Sequence, residues 1–191
     1  MKLPARLLDA LTRLAAILSE KGVKWILAGS TASCLHGLSV EPRDIDIIVE
    51  LERVYEVDKL LASKFTVVRR VAYSSTWLYS SHYGIFRAEG VNIEVMADLK
   101  ICGKHGCLKT DFNDLYAHSR QIKINDVQAR LAPLEWQLVT NLLIPGKEDR
   151  VKAILNALKI RGLDHNALNI ALKHAPPEIK RVTLTLVGTQ L

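Results

Sequence analysis

A chain of 191 residues, 49% of them hydrophobic, is long and apolar enough to bury a substantial core, which excludes a disordered polymer. Its formal charge of +6 lies wholly in the second half: residues 1–98 hold twelve basic and twelve acidic side chains, residues 99–191 fourteen and eight. Such a half suits a polyanion held beside the first half, or is ordinary solvated charge. No run is long enough to span a membrane, and the start lacks a signal-peptide pattern. Three cysteines (Cys34, Cys102 and Cys107) leave no complete set of pairs, so a cytoplasmic, reducing setting is expected.

In chain order, residues 4–20 place Leu7, Leu8, Leu11, Leu14, Ala15 and Leu18 at helical spacing, and Gly22 ends the run. Residues 23–28 suit a buried strand with a tight exit at Gly29-Ser30. Ser30 and Thr31 are expected to cap a short helix over residues 32–36, whose free N–H groups would face a phosphate. Pro42 then separates it from a strand over residues 44–49. In that strand Asp44 and Asp46 share one face, because side chains alternate with period two. Two close carboxylates call for a cation, and magnesium prefers such oxygens together with substrate phosphates. The plainer alternative is an edge strand with a solvated acidic face.

A helix over residues 54–63 and a strand over 65–71 follow. Residues 72–81, rich in Ser and Tyr, suit a connection or an irregular strand. Residues 83–89 and 91–97 suit a hairpin around Gly90. On its second strand Asn92, Glu94, Met96 and Asp98 share a face, with Asp98 where the strand should end.

In the second half, Cys102, His105 and Cys107 offer soft metal ligands without a second Cys pair, so a glycine-rich turn with incidental cysteines is preferred over zinc. Helical spacing recurs over residues 112–120, from Pro133 to the stop at Pro145-Gly146, over 148–158, and from a cap at Asp164 to His174, which suggests a small bundle. Residues 123–127 suit a short strand or an extended link. The alternation in 180–187 predicts a late strand that completes a sheet or pairs with a second subunit as a homodimer.

Gly29 and Ser30, a spacer of 13 residues, then Asp44 and Asp46 resemble the pattern of the nucleotidyltransferase superfamily that includes DNA polymerase beta. Leu35-His36-Gly37 ahead of Arg43-Asp44 resembles its small stand-alone prokaryotic members, minimal and abortive-infection-like. The resemblance covers roughly the first 100 residues. It implies an α+β fold: a mixed sheet flanked by helices as a catalytic core over residues 1–100, then a mostly helical basic region over 101–191.

The resemblance also implies chemistry. Asp44 and Asp46 would bind two magnesium ions, with Glu94 as the third carboxylate and Asp98 as its rival. Gly29 and Ser30 would hold the beta- and gamma-phosphates of a nucleoside triphosphate, ATP first. Arg43 would neutralise the triphosphate, or else pair with Glu41 or Glu50. A nucleoside monophosphate would pass to a hydroxyl, with pyrophosphate leaving. Lys147-Glu148-Asp149-Arg150 partly resembles a family segment, which would put Asp149 near the rim of the site; otherwise it is a first-turn helix acid. The acceptor stays open between an RNA end, a protein hydroxyl and a small molecule such as an aminoglycoside. The alternatives are a non-catalytic RNA- or protein-binding module, toxin–antitoxin-like, and metal-dependent hydrolysis.

Overall fold

The helical spacing near the start folds as α1 (Ala5–Glu20), which buries Leu7, Leu11, Leu14 and Leu18 along one stripe. Each such leucine contributes roughly 1.5–3 kcal/mol of burial. The computed structural model describes residues 3–190. After α1 come β1 (Trp25–Ala28), α2 (Gly29–Leu35), β2 (Asp44–Val49), a single 3-10 turn and α3 (Val54–Ala62). Three longer strands follow: β3 (Thr66–Ser75), β4 (Tyr79–Ala88) and β5 (Val91–Gly103), with β6 (Gly106–Lys109) folding back on β5. Then come α4 (Phe112–His118), β7 (Arg120–Ile124), β8 (Val127–Leu131), α5 (Leu134–Leu143), α6 (Glu148–Arg161), α7 (His165–Leu172) and α8 (Pro177–Gln190).

The strands make one mixed sheet in the order β3-β4-β5-β2-β1-β8-β7. β2 runs parallel to β5, and β1 parallel to β8. Both faces are covered, which is why β1 is apolar at every position. Trp25, Leu27, Ile45, Ile47, Ile93 and Val95 join α1 and α3 in one core. Ile26, Ile48, Leu99 and Ile101 join Trp136, Leu138, Ile154 and Leu168 of the later helices in another. Asp44 and Asp46 have the parity of Ile48, so they lie on the sheet face that carries the later helices.

Several expectations change. The sheet does not stop near residue 100: β5 runs through it, and β6, β7 and β8 lie beyond it. The later helices do form a small bundle: α6, α7 and α8 pack on α5, and α5 seats it on β5 and β6, so its apolar residues share a core with β1, β2 and β5. Residues 180–187 are not a strand. They lie within α8, where Ile179, Thr183 and Val187 are buried at a spacing of four. So short an alternation fits either period, and packing against α5 and α6 selects the helix. The edge-strand route to a homodimer goes with it.

Cys102 and Cys107 are not incidental. They face each other across β5 and β6 as a disulfide, with Cα atoms 4.0 Å apart. Cys34 is free and buried. A side chain at Gly103 would overlap the carbonyl oxygen of Leu143, so this hairpin tip rests directly on the end of α5. Among the described residues, no helix is long and apolar enough to cross a membrane.

Candidate active site

β1 ends at Ala28, and Gly29 turns the chain into α2 with φ of 62°. Ser30 and Thr31 are not caps: the N-cap position is Ala28, and both hydroxyls turn toward β2. Thr31 Oγ1 donates to the backbone carbonyl of Asp44 at 2.6 Å, and Ser30 Oγ donates to Asp44 Oδ1 at 3.3 Å. The turn and the acidic strand are therefore tied side by side.

Parallel pairing of β2 with β5 sets Asp46 directly beside Glu94, and Asp44 beside Asn92. Tyr83, across the sheet on β4, donates its hydroxyl to Glu94 Oε2 at 2.8 Å. Burial, then this hydrogen bond, keeps the Tyr83 phenol protonated well above its ordinary range. Asp46 is the stressed member. Burial first, then the charges of Asp44 and Glu94, raise its pKa from an ordinary 3.8 to about 7, and Lys147 opposes the rise.

These residues line a cleft of about 530 Å³ between the sheet and α5–α6. Gly29, Ser30, Asp44, Asp46 and Glu94 all lie on its wall; Arg43 and Asp98 do not. Asp98 has φ of 54° where β4 and β5 slip register between Ser80 and His82. That bulge shifts the parity of β5, so Met96 and then Leu99 and Ile101 line the cleft. Asp98 instead pairs with Lys109 at 2.9 Å, and the strand continues to Gly103 rather than ending there. Arg43 is exposed, and Glu50 pairs with Lys24. Asp149 lies in the exposed first turn of α6 beside Lys152, while Lys147 and Arg150 line the cleft in its place. Burial lowers the Arg150 pKa, with no carboxylate opposing it.

Sequence reasoning missed the opposite wall. Gln137 and Thr140 of α5 line the cleft, and Ser33 Oγ sits 2.6 Å from Gln137 Oε1 and 2.9 Å from the Gly29 carbonyl. Gln137 Nε2 also donates to Ala132 O at 3.1 Å. Below it His36 is buried and neutral, its pKa lowered to about 4 mainly by burial. Its Nε2 meets Ala132 O at 2.9 Å, and its Nδ1 meets Arg161 Nη1 at 2.8 Å. Together Ser33, Gln137, His36 and Arg161 fasten the later helices to α2. Buried polar side chains facing apolar neighbours could have flagged them, but not their partners.

Three carboxylates on one wall, one of them burdened by its neighbours' charge, fit a divalent cation. Among the described residues no three His, Cys, Asp or Glu side chains are grouped so as to hold a metal ion by themselves. A divalent cation there would take one or two of these carboxylates and complete its shell with water and substrate phosphates.

A tight glycine turn beside clustered acids, on this mixed sheet, fits a nucleotidyltransferase. The chain belongs to the aminoglycoside-2''-adenylyltransferase family, whose model matches residues 10–127. Among solved structures, TM1012 from Thermotoga maritima, a protein assigned as a nucleotidyltransferase, is 28% identical; the match covers 84% of this chain and 93% of that one, with a TM-score of 0.65. An antigenic nucleotidyltransferase-like protein from Paracoccidioides brasiliensis shares the fold at 15% identity, over 98% and 94% of the two chains, with a TM-score of 0.52. No curated protein sequence matches the chain.

Proposed function

We propose that this nucleotidyltransferase moves AMP from magnesium-bound ATP onto the hydroxyl of a small molecule held in the cleft. The observation that carries the reading is the placement of Asp46, packed on Gly29 and in register with Glu94, so that the turn, the acid pair and the third acid share one wall. ATP is the donor suggested by the adenylyl group in the family's description. The catalytic unit is the sheet through Leu131 with α1–α3, and α5 with the start of α6 closes the cleft from the other side.

Gly29 and Ser30 receive the beta- and gamma-phosphates, because first-turn N–H groups of a helix have no partner within it. Asp44, Asp46 and Glu94 would hold magnesium, which would offset triphosphate charge and lower the pKa of the acceptor hydroxyl. Tyr83 fixes one oxygen of Glu94, which leaves the other to orient the acceptor. The acceptor oxygen bonds to the alpha-phosphorus as the bond to the bridging oxygen breaks. Pyrophosphate leaves with that electron pair, and the hydroxyl proton passes to Glu94 or to water. Lys147 and Arg150 line the same cleft and would balance the leaving group's charge.

The test is calorimetry of ATP with and without magnesium, followed by assay of pyrophosphate. Magnesium-dependent binding and pyrophosphate release support the reading. Release of free phosphate would point to hydrolysis instead.

A further inference from the structure

We infer that the acceptor is a non-cationic hydroxyl compound with an apolar face, not a polycation such as the aminoglycosides in the family's description. The inference rests on the proposed transfer reaction and names the substrate class for the same cleft.

Charge decides it. The only carboxylates among the described residues lining the cleft are Asp44, Asp46 and Glu94. Asp44 and Asp46 serve the metal and the nucleotide; Glu94, which also orients the acceptor, has one oxygen already held by Tyr83. The remaining lining carries no acid. Apart from Lys147 and Arg150, which serve the leaving group, its one charged member among the described residues is Arg69, which is positive. An ammonium group taken from water into such a space needs a carboxylate or several carbonyl oxygens around it. An aminoglycoside presents several of them. Arg69 lies over the Tyr83 ring at 5.3 Å, close to the carboxylate that would receive the acceptor, so an incoming ammonium meets a like charge there.

What the cleft offers instead is hydroxyl and hydrocarbon. Ser74 and Ser81 are cross-strand neighbours on β3 and β4, and both line the space with Tyr79. Met96, Leu99, Ile101 and Trp136 form the apolar flank beyond the bulge at Asp98. Neutral hydroxyl groups against the serines and a hydrophobic face against Trp136 match this lining without any unpaired buried charge. Acids near the rim do not change the balance: Asp149 points to solvent beside Lys152, and Asp98 is paired with Lys109.

The experiment uses the full chain with magnesium and a non-hydrolysable ATP analogue. Tobramycin is titrated by calorimetry against the wild type and against the Arg69→Glu, Ser74→Asp double variant. Analogue binding in both proteins is measured first; its absence in the wild type sinks the transferase reading and not this one. With the analogue bound, the inference expects no saturable tobramycin binding below millimolar in the wild type. It expects at least a tenfold gain in the double variant, whose two new carboxylates supply what the lining lacks. Micromolar binding of tobramycin to the wild type overturns the inference. So does a double variant that binds the analogue normally but gains no affinity for tobramycin.

Discussion

Gly29 and Asp46 occupy each other's space: a Cβ at Gly29 would overlap Asp46 Oδ2 and stand 2.7 Å from its Cγ. The glycine also sits at φ of 62°, where side chains are strained. One residue thus provides both the turn and the room for the acid.

Gly29→Ala therefore disturbs backbone and acid together. Stability should fall by about 1–3 kcal/mol from the left-handed backbone alone. Turnover should fall by about a hundredfold, as expected when a catalytic group moves by an ångström. Urea titration and pyrophosphate release measure the two effects. Wild-type turnover in this variant would remove Asp46 from the site.

Asp46→Asn should be stabilising where it is also inactivating. The folded-state pKa of about 7 lies above the ordinary 3.8. Between those values the folded chain binds the extra proton, so stability falls as pH rises through that window. The amide removes that penalty. In EDTA without nucleotide, the variant should exceed the wild type by about 1–3 kcal/mol at pH 8 and by less at pH 5. An advantage independent of pH would show that charge is not its source.

His36 acts in the opposite sense over an overlapping window. Unfolded, it takes a proton near 6.5; folded, only near 4. Its contribution is present above the unfolded value and is lost as pH falls toward 4. Because Asp46 opposes it, the net slope of the wild type is uninformative, and the difference between proteins is what counts. His36→Gln should show stability that falls less on acidification from pH 7 to 4.5, read by denaturant melts. An unchanged difference across that range would contradict the neutral buried assignment.

The bulge at Asp98 separates the two candidate third acids. Glu94→Gln should lower turnover by about a hundredfold or more, while nucleotide affinity stays within about threefold. Asp98→Asn should change turnover by less than about threefold, since its carboxylate reaches Lys109 and not the cleft. Steady-state kinetics beside ATP calorimetry tests both. A dead Asp98→Asn with an active Glu94→Gln would reverse the choice.

The strand that carries Asp44 and Asp46 was legible to the residue, because period-two alternation and the preceding Pro42 bound it on both sides. The same alternation puts Glu94 and Asp98 on one face without choosing between them; the choice of Glu94 comes from the resemblance. The wall facing them was not legible. Gln137, Lys147 and Arg150 reach the cleft only because α5, with α6 packed on it, lies on the sheet, which no local pattern in those segments states. Residues 72–81 looked irregular because β3 is an edge strand exposed along most of its length, so burial imposed no alternation on it. The bulge at Asp98 left no mark in the alternation, and α8 was misassigned because short apolar alternation fits two periods.

The most direct measurement follows the two ends of ATP separately. ATP labelled at the alpha- or the gamma-phosphate is incubated with the protein, magnesium and a small-molecule extract, and the products are resolved. The account predicts alpha label bound covalently to a small molecule and gamma label in pyrophosphate, with both lost in Asp44→Asn and Asp46→Asn. Gamma label in free phosphate, or transfer that survives Asp46→Asn, would contradict it.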